Sequence, residues 1–242
     1  MPMIGLANAE FLRSSIEAIA SFIPEGNFRF NEKGIHFRGM DPSQVLLVDY
    51  SMDRSFFAPY DVEPCFVGIN LEEMRKIVSR ALPNDRVEID LNDSECTLSL
   101  RGELERSFRL PLIDVAGDEL KLPDVKFDAR VEMNARLLKE SLKDAQLFSS
   151  SIIVRVKGDK FSLESKGSSG NLLVSSSQNN GVKAKSRADV VSKYSLSYFM
   201  NIAKEASPDS TIVLELKSDS PMKASYMIGK SEIRYYLAHM LI

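Results

Sequence analysis

Histidine and cysteine, which often serve as catalytic bases, nucleophiles and metal ligands, occur only twice each in this sequence. The only histidines, His36 and His239, have no cysteine or second histidine at ligand spacing, so neither predicts a zinc site or a catalytic triad. Cys65 and Cys96 do not make a disulfide framework or a metal site. Their apolar, strand-like surroundings predict buried free thiols instead.

Two other patterns could in principle bind a ligand. The Gly-Ser-Ser-Gly stretch at 167–170 lacks the Lys and Ser or Thr that follow in a phosphate-binding loop, so it predicts a tight turn. Glu88 and Asp90 share one face of a predicted strand and could hold a divalent cation, although alternating carboxylates are common on solvated strands. No nucleophile, base and oxyanion donor come together. We therefore expect no catalysis, no metal and no cofactor; a metal-dependent two-domain enzyme using Glu88 and Asp90 is the alternative from another class.

Apolar residues at helical spacing predict four helices. The stripes are Leu12, Ile16, Ile19 and Ile23; Leu71, Met74, Val78 and Ala81; Leu138, Leu142 and Ala145; and Leu196, Phe199, Ala203 and Ala206. Asn8 can cap the first helix, and Pro83 is expected to stop the second. Alternating apolar residues predict hairpins over 28–37 and 87–100. Further strands are expected over 45–48, 65–69 and 107–112, and irregular loops over 51–64 and 175–181.

The order of these elements occurs twice along the 242 residues. Residues 8–12, Asn-Ala-Glu-Phe-Leu, match residues 134–138, Asn-Ala-Arg-Leu-Leu, at a shift of 126 positions. Several matches of this kind in register predict two homologous domains. We expect domains over 1–112 and 125–242, joined by an extended connector over 113–124. The predicted fold class is α+β: in each domain a curved antiparallel sheet carries both helices on one face.

Charge patterning points to the helices. The net charge of −3 argues against a generally basic nucleic-acid coat but not against a local basic surface. The helix faces opposite the apolar stripes carry Arg13, Lys76, Arg80, Lys139, Lys143 and Lys204. Acidic residues lie nearby, so an ordinary solvated helix face is an equally compatible interpretation. The sequence has no apolar run long enough for a membrane span and no signal peptide, which predicts an intracellular protein.

Five motifs, taken together and in order, carry a family resemblance. They are Gly39-Met40-Asp41-Pro42-Ser43-Gln44-Val45, Gly68-Ile69-Asn70-Leu71, Leu110-Pro111-Leu112-Ile113-Asp114, Ser220-Pro221-Met222 and Tyr235-Tyr236-Leu237-Ala238. Over essentially the whole chain the sequence resembles the sliding clamps of the proliferating cell nuclear antigen (PCNA) family, above all the archaeal members. The resemblance implies a homotrimeric ring with helices lining a pore and sheets outside. Such a ring encircles duplex DNA in the cytoplasm or nucleoid and serves polymerases as a processivity factor.

The resemblance also implies roles for particular residues. Phosphate contacts are implied for Arg13, Lys76, Lys143 and Lys204, and the helical-face argument adds Arg80 and Lys139. Contacts of this kind are independent of sequence and permit sliding. The connector resembles a loop that borders an apolar pocket, where DNA polymerase, clamp loader, flap endonuclease and DNA ligase dock short peptides with aromatic anchors. The matching pocket positions are Met40, Val45, Leu47, Leu122, Pro221, Tyr236, Leu237 and Ala238. Core packing is the other interpretation of these residues.

Ring closure would pair a strand near 107–112 with one near 172–177 of the next subunit, which covers both sheet edges. The resemblance implies charge pairs there, with Arg80 and Arg109 on the basic side and Glu140 and Asp144 on the acidic side. For Arg80 we favour this role over DNA contact. A clamp subunit in a ring of paralogues is the second hypothesis. Two positions depart from the family pattern: His239 stands where Pro is usual, and Ala20 where many relatives have Lys.

Overall fold

The chain divides into two compact units. The structure, a computed structural model, describes residues 3–115, 120–176 and 181–241. The first unit comprises residues 1–44, 48–121 and 228–233, and the second comprises residues 45–47, 122–227 and 234–242. Each unit therefore includes a short segment from the other half of the sequence. In the described ranges, no helix has the length and apolar character needed to cross a membrane.

The first half of the chain forms two antiparallel sheets and two helices. The elements are β1 (Met3–Leu6), α1 (Ala9–Ala20), β2 (Glu25–Asn31), β3 (Gly34–Met40), β4 (Leu46–Asp53), a 3-10 turn (Arg54–Phe56), β5 (Phe57–Asp61), β6 (Cys65–Asn70), α2 (Leu71–Val78), β7 (Arg86–Leu91), β8 (Glu95–Arg101) and β9 (Glu105–Pro111). One sheet has the order β5-β1-β7-β8-β9, and in the other β4, β3, β2 and β6 are neighbours. The helices α1 and α2 pack against each other.

The second half repeats this order. Its elements are β10 (Ala129–Asn134), α3 (Ala135–Gln146), β11 (Ser151–Lys157), β12 (Lys160–Gly167), β13 (Gly170–Ser176), β14 (Val182–Ser186), β15 (Val190–Ser195), α4 (Leu196–Lys204), β16 (Thr211–Leu216), β17 (Met222–Ile228) and β18 (Ser231–Leu237). One sheet has the order β13-β12-β11-β15, and in the other β14, β10, β16, β17 and β18 are neighbours. The helices α3 and α4 pack against each other. The predicted α+β class, with antiparallel sheets and two helices per domain, is confirmed.

Asparagine caps begin three of the helices. The side-chain oxygens of Asn8, Asn70 and Asn134 accept hydrogen bonds from backbone N–H groups in the first turns of α1, α2 and α3, at 2.7–2.9 Å. Each bond satisfies one N–H that has no partner within the helix, which stabilises the helix start by about 1 kcal/mol. The predicted cap at Asn8 is confirmed, and its counterpart at Asn134 preserves the repeat at the level of hydrogen bonding.

Buried and exposed side chains alternate along the strands, and the buried ones form the hydrophobic core of each unit. In β7, Val87, Ile89 and Leu91 are buried, while the residues between them point away from the core. In the second unit Tyr194 and Phe161 are among the largest fully buried side chains. Burying a large apolar side chain contributes about 1.5–3 kcal/mol relative to leaving it exposed. The apolar faces of the sheets and the helix stripes thereby hold the polar helix faces outward.

Three expectations from the sequence are wrong in detail. The predicted loop over 51–64 contains the end of β4, the 3-10 turn and β5, because the burial alternation continues through Met52 and β5 pairs with β1. The predicted loop over 175–181 begins too early, since β13 extends to Ser176; residues 177–180 lie outside the described residues. The helix α2 ends at Val78, so Pro83 does not stop it.

Candidate interaction sites

Three of the basic residues on the helix faces turned away from the sheets form an ion pair with an acidic residue of the same helix. The ion pairs are Arg13 with Glu10 at 3.7 Å, Lys76 with Glu73 at 2.6 Å and Lys143 with Glu140 at 2.8 Å. All three join residues three positions apart on one helix, and all the side chains are exposed. Pairs of this kind are worth about 0–1 kcal/mol. An incoming anion of higher charge density can therefore displace the carboxylate at low cost.

Lys139 differs from these residues. Its ammonium donates hydrogen bonds to the backbone carbonyls of Lys204 and Ala206, at 2.7 and 2.6 Å. Burial lowers its pKa, with an opposing effect from the Glu205 carboxylate. The side chain therefore caps the C-terminal end of α4, where carbonyls lack partners and the helix dipole favours a cation. Helical spacing placed Lys139 on one face with Lys143 but gave no sign that its charge is engaged by a neighbouring helix.

The side chain of Lys204 lies at the same helix end. Its ammonium is 3.5 Å from the Glu205 carboxylate, and most of the side chain is exposed. Because α3 and α4 pack together, Lys143 and Lys204 belong to one helix pair, as Arg13 and Lys76 do in the first unit. The structure thus brings four of the five predicted DNA-contacting residues to exposed helix faces, and engages the fifth, Lys139, in a cap.

A buried ion pair fixes the segment after α2 to β9. Arg106, on β9, forms an ion pair with Asp85 and also donates to the carbonyl of Arg80 at 2.9 Å. The carboxylate of Asp85 is buried and accepts the backbone N–H of Leu82 at 2.7 Å. Arg80 and Arg109, the two predicted basic interface residues, therefore sit on segments joined by this network. Sequence reasoning missed it, because an isolated Asp and Arg 21 positions apart carry no pattern.

Of the strands at the ends of the sheets in the described part of the chain, β9 and β13 have large exposed leucines on or beside them. In the described part of the chain, β9 pairs with β8 and β13 pairs with β12, each on one side. Alternate residues along β13 are exposed, and among them Leu173 is 63% exposed. Leu104, in the turn before β9, is 66% exposed. Exposed edges with large apolar side chains are templates for pairing with another chain.

The predicted interface acids lie on α3. Glu140 is exposed and already paired with Lys143, whereas Asp144 is exposed one turn further along. Arg109 is 3.8 Å from the Glu95 carboxylate in its own unit. Each of these contacts is within one chain and solvent-exposed, so none of them prevents an exchange of partners between chains.

The predicted peptide-binding positions divide by burial. Leu47, Tyr236 and Leu237 are buried, so they are core residues of the second unit in this chain. The half-buried positions are Val45, Leu122, Pro221 and Ala238, and Met40, in the first unit, is exposed. The backbone N–H of Ala238 donates to the carbonyl of Val45 at 2.8 Å, which brings two of the half-buried positions together.

His239 follows Ala238 and is half-buried. The next residue, Met240, donates its N–H to the carbonyl of Lys193 at 2.7 Å. The backbone on both sides of His239 is therefore fixed by hydrogen bonds, although a proline is usual here in the family pattern. The unusual residue occupies an ordered position beside Ala238.

The connector is anchored on both sides of residues 116–119, which lie outside the described residues. Ile113 donates its N–H to the carbonyl of Gly68 at 3.0 Å, and Asn27 donates to the carbonyl of Val115 at 3.0 Å. Beyond the gap, Arg38 donates to the carbonyl of Leu120 at 2.9 Å. At Gly68 an added Cβ would lie 2.0 Å from the Ile113 oxygen, so only glycine permits this approach.

Of the residues that could have done chemistry, Glu88 is engaged in a hydrogen bond and the two cysteines are unreactive. The Glu88 carboxylate accepts a hydrogen bond from Arg101 at 2.6 Å. Burial raises the pKa of the Cys96 thiol to about 12 and also raises that of Cys65, which makes both poor nucleophiles at neutral pH. Across 3–115, 120–176 and 181–241, no three His, Cys, Asp or Glu side chains converge as metal ligands.

A duplicated unit with two helices, whose outer faces carry exposed cations and whose sheets end in open edges, defines the sliding-clamp class. The family models described as "Proliferating cell nuclear antigen, N-terminal domain" and "Proliferating cell nuclear antigen, C-terminal domain" match residues 1–125 and 121–240. The chain belongs to the proliferating cell nuclear antigen family. It is a sliding clamp, a processivity factor of DNA replication and not an enzyme, as predicted.

Individual relatives agree with this membership. The chain is 32% identical over 217 residues to DNA polymerase sliding clamp 1 of Thermococcus kodakarensis, with 88% of this chain and 87% of the relative covered. It is 31% identical over 228 residues to the DNA polymerase sliding clamp of Thermococcus gammatolerans, with 92% of each covered. A crystal structure of PCNA from Thermococcus kodakaraensis matches the fold with a TM-score of 0.94 at 23% identity, covering 99% of this chain and 100% of that one.

Proposed function

We propose that three copies of this chain form a closed ring around duplex DNA and hold the DNA polymerase on its template. The open edges of β9 and β13, each with an exposed leucine on or beside it, carry the proposal of ring closure. An antiparallel pairing of β9 with the next subunit's β13 satisfies both edges and covers Leu104 and Leu173.

Charge supports the same pairing. The subunit surface at β9 carries Arg80 and Arg109, and α3, on the unit that contains β13, carries Glu140 and Asp144. Opposite charges on two different surfaces that complement each other favour association of identical chains head to tail, which generates a ring when the rotation closes. In this proposal Arg80 serves the interface, because the Asp85–Arg106 network ties its backbone to β9.

The exposed basic residues of the helices would contact the DNA. We assign phosphate contacts to Arg13, Lys76, Lys143 and Lys204, which lie on one helix pair in each unit. Lys139 contributes indirectly, since its bonds to the end of α4 orient Lys204. Contacts to phosphates carry no sequence information, so the ring would hold any duplex. The neighbouring carboxylates weaken each contact and leave retention to encirclement.

The half-buried apolar positions would bind the peptides of partner enzymes. Val45, Leu122, Pro221 and Ala238, together with Met40, would receive the aromatic anchors of short peptides from polymerase, clamp loader, flap endonuclease and ligase. Leu47, Tyr236 and Leu237 would support this surface from beneath.

We further propose domains over 1–112 and 125–242, joined by a connector over 113–124. The protein would act at the DNA of the nucleoid.

The decisive experiment is topological. Loaded onto a nicked circular plasmid, the protein should stay bound in high salt, and it should be lost when the plasmid is cut to a linear form. Loss from both forms would contradict encirclement. Light scattering on the protein alone gives the second readout, with a mass near three times 27.1 kDa expected. A monomer that assembles only with paralogous chains would favour the alternative of a mixed ring.

A further inference from the structure

A groove on the second unit is distinct from both the helix faces and the peptide-docking positions. It has a volume of about 640 Å³ and lies where β14, β10 and β16 run side by side. Its lining residues are Phe127, Asp128, Ala129, Arg130, Glu132, Lys183, Ala184, Lys185, Arg187 and Glu215. All of them belong to the second unit.

The groove opens away from the helices. Val131 and Met133 of β10 are buried, and α3 packs against this strand. Arg130 and Glu132 alternate with these residues and lie on the opposite face, and Lys183 and Lys185 alternate with buried residues on β14 in the same way. A duplex held against the outer faces of α3 and α4 would therefore not reach these side chains.

The strand register places like charges together. Arg130 lies directly opposite Lys185 across β10 and β14, an arrangement that destabilises a sheet. Glu132 lies opposite Lys183, but its carboxylate is bound by Arg130 at 3.0 Å. On its other side Arg130 lies opposite Glu215 of β16, so the acids of the groove offset Arg130 and leave the two lysines of β14 as its uncompensated charges.

The acids of the groove are already engaged. Glu215 is bound by Lys223 at 2.6 Å, and Asp128 is 3.8 Å from Arg187. Lys183 and Lys185 are exposed, and neither has an ion-pair partner within 4.0 Å among the residues that the structure describes. Two uncompensated ammonium groups thus remain in a chain whose net charge is −3.

The spacing of Lys183 and Lys185 and the composition of the groove determine which type of anion fits. Lys183 and Lys185 are two residues apart on one strand, about 7 Å along its axis, which equals the spacing of alternate side chains in an extended peptide. Single-stranded nucleic acid would need aromatic platforms and a uniformly positive track. The groove offers one phenylalanine, Phe127, and three carboxylates that would repel closely spaced phosphates. A peptide whose carboxylates alternate with neutral residues avoids that repulsion.

We propose that this groove is a second docking site, for an extended acidic segment of a protein partner. The segment's carboxylates contact Lys183 and Lys185, whose ammonium groups have no ion-pair partner among the described residues. Its backbone lies along β14 and β10, with Phe127 providing apolar contact at the end of the groove. Such a site adds selectivity for clients that carry acidic sequence beside an aromatic anchor, through avidity between two weak contacts.

The test uses the intact protein and a labelled peptide of alternating Glu and Ser without aromatic residues, with fluorescence anisotropy at about 50 mM salt, where rim charges are least screened. The wild-type protein should bind it, and the double variant Lys183→Glu, Lys185→Glu should bind at least tenfold more weakly. The control is Lys33→Glu, Lys230→Glu, which changes the net charge equally at two exposed lysines of the first unit. Control and wild type should bind alike.

Several outcomes overturn the proposal. Equal losses in the two double variants would mean that only total charge matters. Unchanged binding in the Lys183, Lys185 variant would move the peptide elsewhere. Equal binding of a peptide with Gln in place of Glu would exclude charge recognition. Finally, a twelve-nucleotide single strand that binds more tightly than the peptide, and is lost only in the Lys183, Lys185 variant, would make the groove a nucleic-acid site.

Discussion

The ammonium of Lys139 is bonded to the carbonyl of Ala206 at 2.6 Å, so a side chain of α3 closes the end of α4. Replacing Lys139 by Met should lower the free energy of unfolding by about 1.5–3 kcal/mol, since a charged donor to two carbonyls at the end of α4 is removed. Lys143→Met, which loses only an exposed ion pair, should cost less than about 1 kcal/mol. Urea unfolding measures both. Equal costs would mean that the cap contributes nothing particular.

Reversing charge at Lys143 and Lys204 tests the assigned DNA contacts. Because both side chains are exposed, Lys143→Glu with Lys204→Glu should reduce polymerase processivity and lower the salt dependence of DNA binding, by about 0.9 in log–log slope for each lost phosphate contact. The mass of the assembly should not change. Unaltered processivity would reject the role of these residues at the DNA.

The ion pair between Asp85 and Arg106 should be a major contributor to the first unit. Asp85→Asn leaves the arginine without its buried counter-charge and should lower the free energy of unfolding by about 3 kcal/mol. Because the same network carries the Arg80 carbonyl, the dissociation constant of the proposed trimer should also rise. Glu95→Gln, which removes an exposed neighbour of Arg109, is the matched control and should leave both quantities nearly unchanged.

Substitutions at the predicted peptide-binding positions should distinguish effects on peptide docking from effects on stability. Leu47→Ala empties a buried site and should cost about 2–4 kcal/mol in stability as well as docking. Ala238→Glu places a carboxylate at a half-buried position and should weaken binding of an aromatic-anchor peptide with little loss of stability. Calorimetric titration with the peptide, alongside thermal unfolding, compares the two variants. Normal peptide affinity in Ala238→Glu would place the docking site elsewhere.

His36 should make stability depend on pH. Burial, with further help from Arg29, Arg38 and Lys33 against an opposing effect of Asp49, lowers its pKa in the folded chain. The unfolded chain, with an ordinary histidine pKa near 6.5, binds the proton first as pH falls. Stability is therefore complete above about pH 6.5 and declines as pH falls from there towards the lower folded-state pKa.

The variant His36→Gln should remove this contribution, while the same change at His239 controls for the loss of a histidine. Urea unfolding between pH 5 and 8 gives the comparison. If the pH profiles of wild type and His36→Gln coincide, the decline comes from other groups.

The periodic spacing of apolar residues predicted most of the helices and strands. The helices and hairpins followed from burial patterns such as Leu12 to Ile19 and Val87 to Leu91, and the Asn8 cap followed from residue type and position. Strands β4 and β5 were underestimated, because the Asp, Arg and Ser of the intervening 3-10 turn resemble a loop. Pairing over a long sequence separation, as between Ala238 and Val45, carries no local signal, so the assignment of residues 45–47 to the second unit could not be predicted.

The candidate sites were predicted unevenly for the same reason. Spacing on a helix identified Lys76, Lys143 and Lys204 as exposed cations. It could not distinguish Lys139, since its partners are backbone carbonyls 65 and 67 positions away. The groove at Lys183 and Lys185 also escaped notice, because its charge pattern depends on strand register.

The ion pairs spaced three residues apart on α1, α2 and α3 have a consequence for motion along the double helix. In the proposed DNA complex, a phosphate that leaves Lys76 or Lys143 would not leave a bare cation behind, because Glu73 or Glu140 would return to it. Each step then exchanges one weak contact for another of similar energy, and no position along the duplex becomes a trap. Carboxylates beside the lysines would in this way reduce friction, so that translocation approaches the speed of free diffusion.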